Sequence, residues 1–307
     1  MTRILVTGGA GMVGRALAEA LPEVIATDLT RGDLPDSVRF RRMDVTGSDP
    51  DTVIGEEKPE VVVHLASIVT PPPGMTREQA YAVDVTGTRN VLDACIRHGV
   101  RRIVVTSSGA AYGYHADNPV PLTEDAPCRG NPEFAYADHK RQVEKMLAEA
   151  REAHPALEQV VLRVGTVLGA GTENQITALF HRPRLLAVKG SDSPFVFIWT
   201  RDLARIVLRA ATEGPPGIYN VAGDGWLTVD GLAERLGKPV LRLPAALLKA
   251  ALAVAHPLGL TQYGPEQVRF LQYRPVLAND RLKSVFGYTP ELTSEQVFDL
   301  WRREAGL

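Results

Sequence analysis

Five short apolar runs, RILVT (3–7), VIATD (24–28), VVVHLA (61–66), RIVVTSS (102–108) and VVLRVG (160–165), recur through the first half of the chain. Stretches of helical periodicity separate them. Runs this short and apolar on both sides require a sheet covered on both faces, which parallel strands joined by helices provide. The pattern predicts an α/β fold built on a doubly wound parallel sheet, with helices over about 11–21, 77–98 and 136–154. After about residue 165 the segments shorten and glycine and proline punctuate them, as in EGPPGIYNVAGDG (213–225). The expected division is a Rossmann-type dinucleotide-binding domain over 1–165 and a smaller, mainly helical substrate lobe over 166–307. FVFIWTRDLARIVLRAA (195–211), within a returning segment of about 195–215, reads as a strand and a helix that rejoin the large sheet.

Composition narrows the function classes. With 307 residues, 45% of them hydrophobic, the chain can bury a sizeable core. The formal net charge is -2 and the basic runs are pairs such as Arg41-Arg42 and Arg101-Arg102, so no nucleic-acid partner is expected. The opening residues pass directly into a strand-like run with no apolar leader. ALLKAALAVAHPLGL (246–260) is broken by Lys249, His256 and Pro257 and is too short to span a bilayer, so no membrane partner is expected. Cys95 and Cys128 lie in unrelated contexts without a C-x-x-C or paired histidines. No metal site or disulfide is expected, and a reducing cytoplasm fits.

VTGGAGMVGRALAEAL places Gly8, Gly11 and Gly14 between the first strand and the first helix. A pyrophosphate on a helix N-terminus needs a tight turn, a backbone without Cβ where the anion approaches, and close packing of helix on strand. Asp28 closes the second strand, where a carboxylate accepts hydrogen bonds from ribose hydroxyls and repels a 2′-phosphate. This favours NAD over NADP, although Arg31 is close in sequence. Asp44, in RRMDVT, is placed to meet the adenine edge or, alternatively, to close a turn.

FAYADHK (134–140) sets Tyr136 and Lys140 four residues apart, on one face of a helix. A phenol is a poor acid-base group near neutral pH unless a cation favours the phenolate, and Lys140 is that cation. In VVTSSGAAYG, Ser107 and Ser108 end a central strand, where doubly wound sheets hold their ligands; one of them supplies a hydroxyl for the substrate oxygen.

Taken in order, TGGAGMVG, Asp28, HLAS (64–67), TSSGAAYG and YADHK make the chain resemble the extended short-chain dehydrogenase/reductase family, in its NAD-dependent epimerase/dehydratase branch. VFIWTRDLA and GIYNVAGDG resemble later motifs of that family. The resemblance implies Tyr136 as catalytic acid-base, Lys140 as its partner and a nicotinamide-ribose ligand, and Ser108 as the catalytic hydroxyl. It also implies cofactor contacts from Gly8, Gly11, Met12, Val13, Gly14, Asp28, Asp44, Val45, Leu65, Ala66 and Ser67, with NAD as cofactor. His64 reads as a packed strand residue. A homodimer through the helices of 77–98 and 136–154 is also implied.

Departures from the family pattern shape the expected activity. Gly109-Ala110 stands where dehydratases of the family carry Asp-Glu, which disfavours water elimination. PFVFIWTRD lacks an arginine for a substrate diphosphate, and Phe195, Phe197 and Trp199 suggest an apolar wall instead; Arg182, Arg184 and Lys189 read as solvated cations. The prolines of ASIVTPPPG suggest a stiffened loop at the substrate mouth. The leading expectation is an NAD-dependent oxidoreductase or epimerase acting on a hydroxyl or carbonyl carbon of a small molecule, with a sugar or nucleotide sugar as the candidate substrate. The alternatives are a dehydrogenase or reductase of a non-nucleotide hydroxy or keto compound, and a non-catalytic NAD-binding sensor.

Overall fold

The computed structural model describes residues 2–21, 23–72, 74–261 and 264–307. Pro73, part of the proline loop, lies outside them. In chain order the strands are β1 (Ile4–Thr7), β2 (Val24–Asp28), β3 (Arg39–Arg42), β4 (Val61–His64), β5 (Arg102–Ser108), β6 (Glu158–Val164), β7 (Thr166–Leu168), β8 (Leu185–Val188), β9 (Phe197–Trp199), β10 (Gly217–Val221) and β11 (Val240–Leu243). Seven of them form one sheet in the order β10-β6-β5-β4-β1-β2-β3, and every pairing in it is parallel.

The helices are α1 (Met12–Ala20), α2 (Asp49–Glu57), α3 (Arg77–Tyr81), α4 (Gly87–Arg97), α5 (Ala135–Ala153), α6 (Gln175–Phe180), α7 (Thr200–Thr212), α8 (Val229–Leu236), α9 (Ala245–Ala255), α10 (Gln267–Gln272), α11 (Asp280–Ser284) and α12 (Ser294–Glu304). Alternation along each central strand divides the core between the two faces. Ile4, Val6, Val61, Val63 and Val104 pack with Leu17 of α1 and Leu203, Ile206 and Val207 of α7. Leu5, Val62, Ile103, Val105 and Val161 point the other way, to Ile54 of α2, Val91 of α4 and Val143 of α5. The edge strand β3, RFRR, is the least buried of the sheet, and Arg39 and Arg41 pair with the buried Glu57.

Three expectations need correction. The segment 195–211 divides: α7 covers the large sheet, but β9 pairs in parallel with β7 in a separate ribbon. The chain turns out of β6 at Gly165 and β7 carries β9 away with it, while β10 takes the edge beside β6. The helix expected over 77–98 is interrupted by a π-helical turn, Ala82–Thr86, between α3 and α4. Phe195 and Phe197 do not form an exposed wall. They lie in an aromatic cluster with Phe180, Phe298 and Trp301, the core of the C-terminal part, because β9 buries one face here against α6 and α12 and turns Ile198 the other way, to α7.

Candidate active site

Because the sheet is parallel, β1, β2, β3, β4 and β5 all end on one edge, and the strand order reverses between β1 and β4. That edge is where an open doubly wound sheet holds its ligand. The Leu65 N–H donates to the Thr7 carbonyl at 3.1 Å and the Ala66 N–H to Thr7 Oγ1 at 3.3 Å, so the chain leaving β4 is fastened to the glycine turn leaving β1.

The turn fits a dinucleotide. Gly8 has φ +67°, and a Cβ there would stand 2.8 Å from the Ala66 nitrogen. A Cβ on Gly14 would stand 2.5 Å from the Gly9 carbonyl, which explains the close seat of α1 on the turn. A Cβ on Gly11 would stand 3.2 Å from the Gly8 carbonyl, a close contact inside the turn. Gly11 caps α1 with no side-chain hydrogen bond, and Met12 and Val13 open its first turn. Asp28 accepts from the Ala10 N–H at 3.2 Å and the Leu29 N–H at 2.8 Å, which fixes its carboxylate beside the turn with lone pairs to spare. Arg31 is drawn away from it: its Nη2 donates to the carbonyls of Pro35 and Val38, and its guanidinium lies over Phe40.

Asp44 closes a turn, its Oδ1 accepting from Thr46 N at 2.9 Å and Thr46 Oγ1 at 2.7 Å. The Thr46 hydroxyl and N–H hold its carboxyl below the usual range. Val45 is buried against α4, and its carbonyl accepts from Asn90 Nδ2. The Ser67 hydroxyl donates to Asp84, so the side chain of Ser67 turns to that carboxylate while the backbone of Leu65 and Ala66 runs beside the glycine turn. His64 is buried between two hydroxyls, with Nδ1 2.7 Å from Thr7 Oγ1 and Nε2 2.9 Å from Thr88 Oγ1.

Ser107 and Ser108 point to opposite faces of β5. Ser107 is buried, and Ser108 Oγ stands at the strand end, accepting from the Ala110 N–H at 3.1 Å. Burial pushes the Tyr136 phenol above its ordinary value, while the Ser108 side chain, as hydrogen-bonding partner, works in the opposite direction. The structure thus brings together the serine and tyrosine expected to share a substrate oxygen. Lys140 Nζ donates to the Thr106 carbonyl at 3.0 Å and lies 5.6 Å from the centroid of the Tyr136 ring. Burial pulls the Lys140 ammonium below its ordinary value, against the opposing charges of Asp84 and Glu144. Leu277 lies over Gly109, where a Cβ would come within 3.2 Å of its methyls.

Two features have no signal in local sequence. Asp84 and His139, both buried, pair beside Lys140. Arg274 is sandwiched between Phe195, with its guanidinium carbon 3.9 Å from the ring centroid, and Phe270 at 4.6 Å. It is 9% exposed, and its Nε and Nη1 have no hydrogen-bond partner. Phe270 meets Tyr114 edge to face, as does Phe134 two residues before Tyr136. Arg182, Arg184 and Lys189 are exposed.

Comparison with known proteins agrees with this fold. The model of the NAD dependent epimerase/dehydratase family matches residues 4–222. A UDP-glucose 4-epimerase of Azospirillum brasilense is 34% identical over 62% of this chain and 60% of its own length. A 3beta-hydroxysteroid-dehydrogenase/decarboxylase of Arabidopsis thaliana is 26% identical over 93% of this chain and 75% of its own. The fold matches the solved UDP-glucose 4-epimerase of Thermus thermophilus in complex with NAD, with a TM-score of 0.72, 24% identity, and 99% and 98% of the two chains covered.

Proposed function

The chain belongs to the NAD dependent epimerase/dehydratase family, and from that membership we propose that Tyr136 is the acid-base of a hydride transfer at a hydroxyl- or carbonyl-bearing carbon of a sugar or nucleotide sugar. The carrying observation is that Ser108 Oγ stands at the end of β5 while Tyr136 and Lys140 lie one turn apart on α5, with Lys140 Nζ bound to the Thr106 carbonyl of the same strand. NAD supplies the hydride acceptor. Gly8, Gly11 and Gly14, with the first turn of α1 at Met12 and Val13, would hold its pyrophosphate. Asp28 would take the adenosine ribose, Asp44 and Val45 the adenine side, and the backbone of Leu65, Ala66 and Ser67 the nicotinamide side.

In the oxidation direction Tyr136 Oη removes the substrate hydroxyl proton while Ser108 Oγ bonds the same oxygen. In reduction Tyr136 returns the proton. Lys140 favours the phenolate by its charge and would bond the nicotinamide ribose. A ketone that is held, turned and reduced gives net epimerisation, and one that leaves gives net oxidation. Gly109 and Ala110 offer no acid or base for water elimination.

The unpartnered nitrogens of Arg274 support a substrate with an anionic group, as in a nucleotide sugar. A non-nucleotide hydroxy or keto substrate is the second reading, favoured by the aromatic cluster of Tyr114, Phe134 and Phe270 beside Arg274. Division near residue 165, a homodimer through α4 and α5, and a cytoplasmic location complete the proposal. Among the described residues no helix is long and apolar enough to cross a membrane. The test offers NAD with UDP-glucose, other nucleotide sugars and simple hydroxy compounds. A changed sugar without net NADH supports epimerisation, net NADH supports dehydrogenation, and NAD binding without any turnover across the panel contradicts the enzymatic reading.

A further inference from the structure

Beside the proposed proton-transfer groups lies an ionisable pair that the chemistry above leaves unused. Asp84 sits in the π-helical turn Ala82–Thr86, and His139 sits in α5 directly before Lys140. They are 2% and 1% exposed. His139 Nδ1 is 2.9 Å from Asp84 Oδ2. The other oxygen, Oδ1, accepts from Ser67 Oγ at 2.9 Å and from the Ile68 N–H at 2.8 Å. One carboxylate therefore joins the helix that carries Tyr136 and Lys140 to the segment that borders the glycine turn. Isolated π-turns within helices recur at functional sites, and here the turn delivers the carboxylate to that junction.

We propose that Asp84 and His139 are positioning residues for Tyr136 and Lys140: the pair aligns α5 with segment 65–68 and fixes the Asp84 carboxylate beside the helix that carries both groups. The proposal rests on the reading of Tyr136 as acid-base. The surroundings support a charge at Asp84. From α5 it faces His139, Lys140 and Tyr136, with Glu144 further along acting on the same Lys140; from the end of β4 come the Ser67 hydroxyl and the Ile68 N–H. His64 of β4 feels the Lys140 charge and stays neutral. From α3 the Tyr81 ring meets His139 edge to face, 5.4 Å between centroids. Burial raises the Asp84 carboxyl, yet the His139 hydrogen bond, the Lys140 charge and the Ile68 and Ser67 donors together hold it below its usual range. His139 Nε2 has no hydrogen-bond partner, so the ring is anchored through Nδ1 alone.

The test titrates the Tyr136 phenol of the full chain by near-ultraviolet phenolate absorbance, read as the difference from Tyr136→Phe, with NAD affinity measured by calorimetry. Asp84→Asn keeps the shape and removes the charge; its midpoint is expected to fall by about one pH unit, with NAD binding several-fold weaker. His139→Gln, which still donates to Asp84, is expected to keep the wild-type midpoint. His139→Leu, which cannot, is expected to raise it, and so tests the pair even if Asp84→Asn fails to fold. Unchanged midpoints in folded Asp84→Asn or His139→Leu overturn the proposal, as does a loss of NAD affinity with no shift. Because neither readout needs turnover, a Tyr136 that titrates as expected in a protein without activity would sink the acid-base reading and leave the pair standing.

Discussion

Glu144 of α5 accepts two hydrogen bonds from Arg163 of β6, each 2.9 Å, and both side chains are buried. Arg163 also donates to Tyr112 Oη and to the Glu124 carbonyl, so the helix bearing Tyr136 and Lys140 is tied to the sheet below and to the loop beside Ser108. Removing one member leaves a buried charge without its partner. Glu144→Ala is expected to lose about 3–5 kcal/mol, and the paired change Glu144→Leu with Arg163→Met clearly less. Denaturant unfolding of both variants is the measurement, and equal losses would contradict the account.

The glycine turn separates stability from binding. Gly8→Ala strains a positive φ and presses on Ala66, so both stability and NAD affinity should fall, the latter by about tenfold or more. Gly11→Ala meets the Gly8 carbonyl at 3.2 Å but strains no positive φ, so it should cost less stability than Gly8→Ala while weakening NAD by a similar factor. Calorimetric titration alongside thermal unfolding distinguishes the two.

Cofactor choice follows from Asp28 and the withdrawal of Arg31. NAD should bind at least about tenfold tighter than NADP, and Asp28→Ser should narrow that gap by relieving repulsion of the 2′-phosphate. A wild-type protein that prefers NADP would refute the role given to Asp28.

His64 gives a pH dependence of stability. Burial, with the charge of Lys140, pulls it down to about 3 from 6.5, while Asp84 acts weakly the other way. The unfolded chain therefore takes up this proton first. The contribution is complete above about pH 6.5 and is lost as pH falls from there toward 3, by up to ~1.4 kcal/mol per pH unit. His64→Asn, which can still bond Thr7 and Thr88, should show a shallower decline between about pH 7 and 5. Identical slopes would remove His64 as the source.

The sheet and the glycine turn are legible in sequence because strands buried on both faces announce themselves by composition, and a turn that must clear Ala66 and an anion admits little but glycine. Tyr136 and Lys140 are legible because one helical turn sets their spacing. Asp84, His139 and Arg274 are not, since each is defined by a partner far away in the chain: Asp84 by His139, and Arg274 by Phe195, which closes the sandwich begun by the nearby Phe270 of α10. Apolar sequence also misleads at Phe195 and Phe197, where a buried aromatic core and a substrate wall read alike. Composition alone assigns the strand of 195–211 to the large sheet, but pairing is set by where β7 leads the chain after Gly165.

The most direct test of the central claim replaces Tyr136 by Phe in the full chain and follows both NAD binding and turnover of a substrate that the wild-type protein accepts. The account predicts NAD affinity within about twofold of wild type and turnover reduced by ~10²–10⁴. Turnover at the wild-type rate would contradict it.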